Sequence, residues 1–327
     1  MKPLRHLSAE EVTAAAPALM ERLGLAELTM RSLGTAAQMP AKIGVHPRQQ
    51  GSLAHAMPAL LHGDAEDGSA DLIGMKWIAG FPRNPSMGLA TYNALVILND
   101  PVTGLPIAVM DAGSITAQRT SAVSGAAIRR FAPERLDRPT RVAVLGAGAQ
   151  ARSHLPVIGH VLPGASVTVT DVDATRAEAL IGESLNTPGI ASISRAASVR
   201  QAVEGADVVV SVVSFGSDHQ ALDPDWLLAD ALFVAVDYDM QAPAALAREA
   251  TFLVDDRDQF LATRGDEFFA GYRDPDMTIG EALREAVRRP RGRMLVSHLG
   301  VGLADVVFAS AILARAEQLG LGRILPR

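Results

Sequence analysis

A glycine-rich turn is the segment whose residue types and spacing point most directly to chemistry. Gly146, Gly148 and Ala151 form a Gly-x-Gly-x-x-Ala pattern between an apolar strand-like run and a predicted helix. The first glycine permits a tight turn, the second lets the backbone approach a pyrophosphate, and the alanine allows the helix to pack closely on the strand. The amide groups of the first helical residues, Ala149 and Gln150, would face the phosphates. The turn therefore predicts a bound dinucleotide, and with it hydride transfer.

Asp171 indicates which dinucleotide is bound. It ends the second predicted strand of this region, roughly 25 residues after Gly146, where an acidic side chain bonds the ribose 2′-hydroxyl. A 2′-phosphate would meet this carboxylate unfavourably, and we interpret the nearby Arg176 as a solvated helix residue. NAD(H) is thus the predicted cofactor. The alternative for Asp171 is a helix cap, a role that Asp173 would fill equally well.

From Thr140 onward, the sequence pattern predicts alternating strands and helices, which would position this turn. That alternation indicates a parallel, doubly wound sheet. In order, the predicted segments are residues 142–145, 149–161, 166–170, 174–185, 193–194, 199–204, 208–213, 232–236 and 251–254. Ser211, Val213 and Ser214, at the end of the 208–213 run, are predicted to lie near the nicotinamide ribose, although they also suit an ordinary strand end.

The first third of the sequence has α+β character instead. Ser8, with Glu11 three residues later, predicts the start of a helix over the amphipathic stretch 9–23. Strand-like runs follow at residues 72–78, 94–98 and 106–111, and turn residues at 100–104 make 91–111 a predicted hairpin. A long helix is predicted over residues 116–131.

The closing segment, residues 294–322, begins as an apolar strand, turns at Gly300 and Gly302, and continues as a helix over 304–320. We expect it to return to the first domain, so that the architecture is discontinuous. The predicted fold class is α/β, with a Rossmann doubly wound parallel sheet inserted into an α+β dimerisation and substrate domain. The Rossmann domain is predicted to span residues 119–295, and the other domain residues 1–118 and 296–327.

Composition excludes several classes of function. The 327 residues carry a net charge of −6 and no cysteine, so disulfides, thiolate metal sites and cysteine nucleophiles are absent. No aromatic-basic pattern suggests a nucleic-acid partner, and the apolar runs are far shorter than the roughly 20 residues of a membrane helix. No cluster of metal ligands is evident. Without a signal-like start, the cytoplasm is the expected compartment.

Several motifs in a fixed order resemble a known family. The stretch 115–122, Ile-Thr-Ala-Gln-Arg-Thr-Ser-Ala, closely precedes the glycine turn, and together they look like the paired signature of the ornithine cyclodeaminase/mu-crystallin family. The further matching segments are Met57-Pro58, Gly74-Met75-Lys76, Pro82-x-Asn84-Pro85, Gly104-x-Pro106, and Gly300-x-Gly302 with Asp305. The similarity runs from about Met39 to Gly322. It implies a Rossmann domain inserted into a dimerisation domain, substrate bound between them, and a homodimer.

The resemblance also implies roles for individual residues. Lys42, Lys76 and Arg119 match the group that holds a substrate α-carboxylate beside the nicotinamide. A guanidinium can bind a carboxylate with two hydrogen bonds, and a partly desolvated lysine among cations can release a proton near neutral pH. Lys76 is therefore the predicted proton donor. A solvated Lys42 and structural salt bridges for the other two are the alternatives. Thr91 matches a threonine near the substrate, and its alternative is an ordinary strand residue.

Asp239 matches an aspartate that acts as acid or base toward an amine or water. Its neighbour Asp237 could take that role, and the alternative for both is a turn or cap ahead of a helix. Thr120 and Gly300 complete the predicted cofactor contacts.

One departure from the family pattern bears on the substrate. Where the ornithine-cyclising members carry a glutamate, three residues before Pro58, this chain has His55. Arg48 lies in the same connection, so we hypothesise a second substrate carboxylate, as in iminosuccinate; His55 and His46 could equally be surface residues. The predicted function is NADH-dependent reduction of an imino acid, or the reverse amino-acid dehydrogenase reaction. The alternatives are a cyclodeaminase that forms proline from ornithine with catalytic NAD⁺, and a crystallin-like binding protein.

Overall fold

The computed structural model describes residues 3–216, 218–265 and 267–326. The strands are β1 Leu4–Leu7, β2 Ala37–Gln38, β3 Ile43–Val45, β4 Leu53–Leu61, β5 Leu72–Gly80, β6 Tyr92–Asn99, β7 Pro106–Asp111, β8 Arg141–Leu145, β9 Ala165–Thr170, β10 Ile190–Arg195, β11 Val208–Ser211, β12 Leu232–Ala235, β13 Thr251–Val254, β14 Met277–Thr278, β15 Met294–Ser297 and β16 Arg323–Leu325. The helices are α1 Ala9–Ala14, α2 Leu19–Ser32, α3 Gly113–Phe131, α4 Ala149–Val161, α5 Ala174–Ser184, α6 Val199–Val203, α7 Ala244–Glu249, α8 Arg257–Thr263, α9 Ile279–Arg284 and α10 Gly302–Gln318. These elements form two compact units.

The first unit runs to Arg119 and resumes at Gly300. Its sheet has the order β16-β1-β7-β6-β5-β4-β2, with β3 also paired to β4. The β4, β5, β6 and β7 strands pair antiparallel, so the predicted hairpin over residues 91–111 is present as β6 and β7. Helix α10 packs on β4 and β5, which brings the closing segment onto the same unit as the first third of the chain.

A proline inside β4 explains why that strand was missed from the sequence. Pro58 cannot donate a backbone hydrogen bond, so such a residue argues against a central strand. Its register resolves the conflict: β3 pairs with Ala54 to Ala56 and β2 with Leu60 and Leu61, so Pro58 lies opposite neither short strand.

The helix predicted over residues 9–23 was wrong in its extent. The start is correct, since Ser8 and Glu11 form a capping box at the beginning of α1. The helix nevertheless ends at Ala14, and a second helix, α2, begins at Leu19. Pro17 lies between them, and a proline both lacks the amide donor and disfavours helical backbone in the residue before it.

The second unit, residues 120–299, contains the parallel sheet. Its strand order is β10-β9-β8-β11-β12-β15-β13-β14, and every pair is parallel. The order reverses between β8 and β11, and ligands of doubly wound sheets bind at the carboxyl ends of the strands at such a point. The predicted Rossmann sheet is confirmed. It places the glycine turn, Ser211 and Asp237 at one edge.

Candidate functional site

A buried ion pair is the central feature of the first unit. Lys76, in the middle of β5, has its Nζ 2.7 Å from Oδ2 of Asp305, and the two side chains are 1% and 0% exposed. Arg119 approaches the other carboxylate oxygen, with Nε 3.2 Å from Oδ1. One carboxylate therefore serves two cations, and when Lys76 is protonated the cluster carries a net positive charge suited to an anionic ligand.

Two glycines allow Asp305 to reach Lys76. A Cβ at Gly302, at the start of α10, would lie 2.6 Å from the carbonyl oxygen of Met57 in β4. A Cβ at Gly74 would lie 2.5 Å from the carbonyl oxygen of Ile97 and 3.3 Å from Val306 of α10. Only glycine fits at these contacts. They hold the first turn of α10 against the face of β5 that carries the lysine.

The pKa of Lys76 is lowered to about 7. Burial is the main cause, and the neighbouring charges of Arg119 and Lys42 lower it further, while Asp305 acts in the opposite direction. A lysine with this pKa exists in both protonation states near neutral pH. It can therefore give up or accept a proton in that range.

His55 lies on the same face of the sheet as Lys76. Antiparallel pairing sets Met57 opposite Lys76, and His55 is two residues before Met57 in β4. Burial, Lys42, His46 and Lys76 together lower the pKa of His55 to about 4, so its ring is neutral at neutral pH. Gly44 leaves room for the ring, because a Cβ there would lie 3.0 Å from its Cδ2.

The remaining residues predicted to bind substrate take different positions in this unit. Lys42 is half-buried and close enough to affect both His55 and Lys76. Arg48 is exposed in the connection between β3 and β4. Thr91 precedes β6, and its carbonyl oxygen accepts a hydrogen bond from the amide of Phe81. The structure thus brings Lys42, His55, Lys76 and Arg119 together and leaves Arg48 at the surface.

Gly300 lies against the guanidinium group of Arg119. Its φ is 82°, and a Cβ there would collide with Nη1 and Nη2 of the arginine. The sequence places Gly300 among the cofactor contacts. In the structure it also makes room for the arginine that is predicted to bind the carboxylate.

The glycine turn of the second unit has the shape that a dinucleotide requires. Gly146 has φ of 100°, and a Cβ there would lie 2.7 Å from the carbonyl oxygen of Val212. Gly148 precedes α4 and has no atom within 4 Å of an ideal Cβ position, so the approach to its backbone is open. Among the described residues, buried Oε1 of Gln150 and Oγ1 of Thr120 have no hydrogen-bond partner. The open backbone of the turn and the Thr120 hydroxyl fit a phosphate, whereas Oε1 of Gln150, an acceptor, fits a hydroxyl of the same ligand.

Asp171 supports the turn directly. Its Oδ2 accepts a hydrogen bond from the amide of Ala147 at 2.7 Å, and its Oδ1 accepts one from the amide of Asp173 at 2.9 Å. Asp173 caps α5, accepting from the amides of Thr175 and Arg176. The capping role that the sequence left open for Asp171 therefore belongs to Asp173. Asp171 keeps the lone pairs needed to accept from a ribose hydroxyl.

Asp237 fixes the backbone at the end of β11. Its Oδ2 accepts from the hydroxyl of Ser211 and from the amide of Val213, the latter at 3.2 Å. Burial raises the pKa of Asp237 to about 7, against the lowering effect of those two hydrogen bonds. The Val212–Val213 backbone is the one that Gly146 packs against. Asp237 therefore stabilises the backbone that contacts the glycine turn. Ser214, the residue after Val213, is exposed.

Asp239 is enclosed by hydrogen-bond donors. The carboxylate is 1% exposed; its Oδ1 lies 2.9 Å from Nδ1 of His219, and its Oδ2 accepts from the amide of Phe269 at 2.8 Å. Sequence reasoning missed His219, because nothing in the 212–220 loop marks a histidine as a partner of a residue 20 positions later.

A directional hydrogen-bond chain in the second unit was also missed. Nδ1 of His154 donates to the carbonyl oxygen of Gln150, so the Nε2 of this neutral ring accepts from the hydroxyl of Ser124, at 2.8 Å. The Ser124 oxygen accepts in turn from Nε2 of His298, also at 2.8 Å. The chain joins α3, the start of α4 and the end of β15.

Within the ranges that the structure describes, no three histidine, aspartate or glutamate side chains form a group that could hold a metal ion. In those ranges, no helix is both long and apolar enough to cross a membrane.

The fold and these residues define a Rossmann-type dinucleotide-binding protein with an additional α+β unit. The model of the ornithine cyclodeaminase/mu-crystallin family matches residues 6–319. The chain belongs to this family, which confirms the resemblance found in the sequence.

Three relatives illustrate the range of the family. The chain is 32% identical to the nodulation efficiency protein NfeD of Rhizobium meliloti, over 99% of this chain and 98% of that protein. It is 29% identical to the alanine dehydrogenase of Archaeoglobus fulgidus, over 88% and 87% of the two chains. A solved structure of an archaeal alanine dehydrogenase dimer with bound NAD superposes with a TM-score of 0.83 at 25% identity and covers 99% of both chains.

The sequence placed Asp305 in a motif without assigning it a role. The structure shows that its carboxylate pairs with both Lys76 and Arg119.

Proposed function

We propose that this protein is an NADH-dependent imino-acid reductase, or an amino-acid dehydrogenase working in the opposite direction. The observation that carries the proposal is the buried Lys76, whose pKa of about 7 suits it to protonate an imine nitrogen. Hydride would pass from the nicotinamide to the imine carbon while Lys76 supplies the proton, giving an amine. The similarity to an alanine dehydrogenase supports this class of reaction.

The substrate carboxylate would bind Arg119. Because Nε of Arg119 is committed to Asp305, the two Nη groups are those that would face the carboxylate. Lys42 adds a second positive charge to this neighbourhood. His55 is neutral and so offers no charge partner to the distal ammonium of ornithine. A small imino diacid such as iminosuccinate, with Lys42 near its second carboxylate, is the substrate we favour.

NAD(H) is the proposed cofactor, held by the glycine turn, Thr120 and Gln150, with Asp171 accepting from the ribose 2′-hydroxyl. When bound, it supplies or accepts the hydride; the protein orients it and excludes a 2′-phosphate by the charge of Asp171. The family pattern also assigns to the Asp239 position a role as acid or base toward an amine or water.

A homodimer is proposed through the face of the first unit's sheet opposite Lys76. Successive strand residues point to opposite faces, so Trp77 lies on that face, 42% exposed, with Leu95 opposite it on β6, 44% exposed. Ile43 and Ile73 are exposed on the same face. An apolar surface of this kind marks an interaction site.

The test is a substrate panel followed by NADH absorbance. Pyruvate or oxaloacetate with ammonia, and a preformed cyclic imino acid, are each compared with ornithine plus catalytic NAD⁺. The proposal expects NADH consumption with at least one of the first three, and loss of most of kcat in Lys76→Met. Proline formation from ornithine without net change in NADH would establish a cyclodeaminase instead. Imine reduction that survives in a folded Lys76→Met protein would overturn Lys76 as the proton donor. No turnover of any of these substrates by wild type, with NADH binding unchanged in Lys76→Met, would argue for a binding role.

A further inference from the structure

The family pattern assigns to Asp239 the role of acid or base toward the substrate. We propose that His219, oriented by Asp239, is the group that exchanges the proton. The proposal rests on the proposed function and adds a residue to it. It follows from the contacts of the carboxylate, the exposure of the imidazole and the backbone around them, all within the second unit.

The carboxylate of Asp239 is poorly placed to exchange protons itself. It is 1% exposed, and each oxygen already accepts a hydrogen bond, one from the ring of His219 and one from the amide of Phe269. The amide nitrogen of the Gln220 side chain lies a further 3.5 Å from Oδ2. An acid or base must come within hydrogen-bond reach of the proton it transfers, and the imidazole of His219, 26% exposed, is better placed for this than a carboxylate that is 1% exposed.

The imidazole of His219 is accessible where the carboxylate is not. Its side chain is 26% exposed. Because Asp239 accepts from Nδ1, the proton of the neutral ring lies on Nδ1 and Nε2 is the nitrogen that can take up a further proton. This is the arrangement in which a buried aspartate holds a histidine in one tautomer and orientation.

An aromatic wall surrounds the imidazole. The ring of Phe268 lies 5.5 Å from it, and Phe268 packs edge-on against Tyr238 and Phe215 at 5.1 and 6.0 Å. Phe215 is 43% exposed, beyond the end of β11. Phe268 therefore covers part of the imidazole, and the side chain of His219 stays 26% exposed.

The backbone around Asp239 is held in an uncommon conformation. Gln220, Tyr238 and Phe269 have φ of 55°, 61° and 60°, the left-handed region that side chains other than glycine rarely adopt. All three lie at this site: the amide of Gln220 donates to the carbonyl oxygen of Asp239 at 2.7 Å, Tyr238 precedes it, and Phe269 donates to its carboxylate. Strain of this kind persists at sites where it serves a function.

The proton transfer fits the step in which a keto acid and ammonia form the imine. Neutral His219 takes a proton from ammonium, and the ammonia released adds to the keto carbon to give a carbinolamine. The imidazolium then returns the proton to the carbinolamine hydroxyl; the C–O bond breaks, the nitrogen lone pair forms the C=N bond, and water leaves. His219 then takes the N–H proton of the iminium and releases it to solvent, which leaves the neutral imine that Lys76 would protonate during hydride transfer. The net change is keto acid plus ammonium to imine, water and one proton, and the ring ends unprotonated.

The test compares two substrates in one variant. His219→Asn keeps an amide donor for Asp239 but removes Nε2. We expect kcat with keto acid and ammonia to fall about 100-fold or more, while reduction of a preformed cyclic imino acid, which needs no dehydration, changes by no more than a few fold. Added imidazole should restore the lost activity in His219→Ala. The matched control is His160→Ala, an exposed histidine of the same unit.

The outcomes separate this inference from the proposed function. If the wild-type protein reduces neither substrate, the proposed function fails. If it reduces the imine, the inference is overturned by any of three results: no wild-type turnover of keto acid with ammonia, equal loss of both activities in His219→Asn, or no rescue by imidazole. NADH binding, followed by its fluorescence, should be the same in wild type and both His219 variants.

Discussion

Nζ of Lys76 lies 2.7 Å from Oδ2 of Asp305, and both side chains are buried in the first unit. Removing one member of a buried pair leaves the other charge without compensation, whereas the pair itself is a weak source of stability. We therefore interpret the pair as setting the protonation state of Lys76 and not as a source of folding stability. Burial and Arg119 lower the pKa of this lysine, and Asp305 limits the decrease.

The first prediction concerns pH. Lys76 is protonated below its pKa of about 7, so kcat/KM for imine reduction should fall as pH rises through that value. In the oxidative direction Lys76 must be neutral to accept a proton, so kcat/KM should rise with pH over the same range. The measurement is a pair of pH profiles with a substrate that does not titrate there. Profiles in which both directions change in the same sense would contradict the assignment of Lys76.

The second prediction concerns cofactor choice. Asp171→Ser removes the charge that disfavours a 2′-phosphate, so the ratio of NADPH to NADH affinity should rise about tenfold, equivalent to about 1.4 kcal/mol. NADH affinity should also fall, because Asp171 supports the amide of Ala147. Fluorescence titrations with both nucleotides measure the ratio. Asp173→Ser, which changes the cap of α5 and an exposed ion pair with Arg176 but keeps the carboxylate of Asp171, is the control and should leave the ratio unaltered.

The third prediction concerns the exposed sheet face. Trp77→Glu places a charge beside Leu95 and should convert the dimer to monomer in sedimentation or light-scattering measurements. Leu136→Glu, at a side chain 98% exposed in the second unit, is the control and should remain dimeric. A Trp77→Glu protein that is folded and still dimeric would exclude this face as the interface.

The fourth prediction concerns the Ser124 chain. Ser124→Ala leaves two buried histidine nitrogens without their shared partner, and the free energy of unfolding should fall by about 1–3 kcal/mol. Urea unfolding measures the difference. Ser86→Ala, at an exposed serine, should change stability by less than about 0.5 kcal/mol. A Ser124→Ala protein as stable as wild type would show that the chain contributes nothing to the fold.

Local patterns predicted the Rossmann unit well. The glycine turn, α4 and β13 lie where the sequence placed them, because a strand, a tight turn and a helix follow one another within a few residues. Contacts between distant residues left no such signal. Asp305 lies more than 200 positions after Lys76, and the pairing of His219 with Asp239 depends on how two loops fold together. Pro17 marks the break between α1 and α2 in the sequence itself, but the amphipathic pattern of residues 9–23 runs across it and predicts one helix.

The most direct test of the central claim is the stoichiometry of NADH consumed to amino acid formed. Wild-type protein, excess keto acid with ammonia or preformed imino acid, and a measured amount of NADH are allowed to react to completion. An imino-acid reductase oxidises one NADH for each amino acid that appears. No NADH consumed with either substrate, together with proline formed from ornithine and catalytic NAD⁺ without net change in NADH, would contradict the account and assign the chain to the cyclodeaminase chemistry of its family.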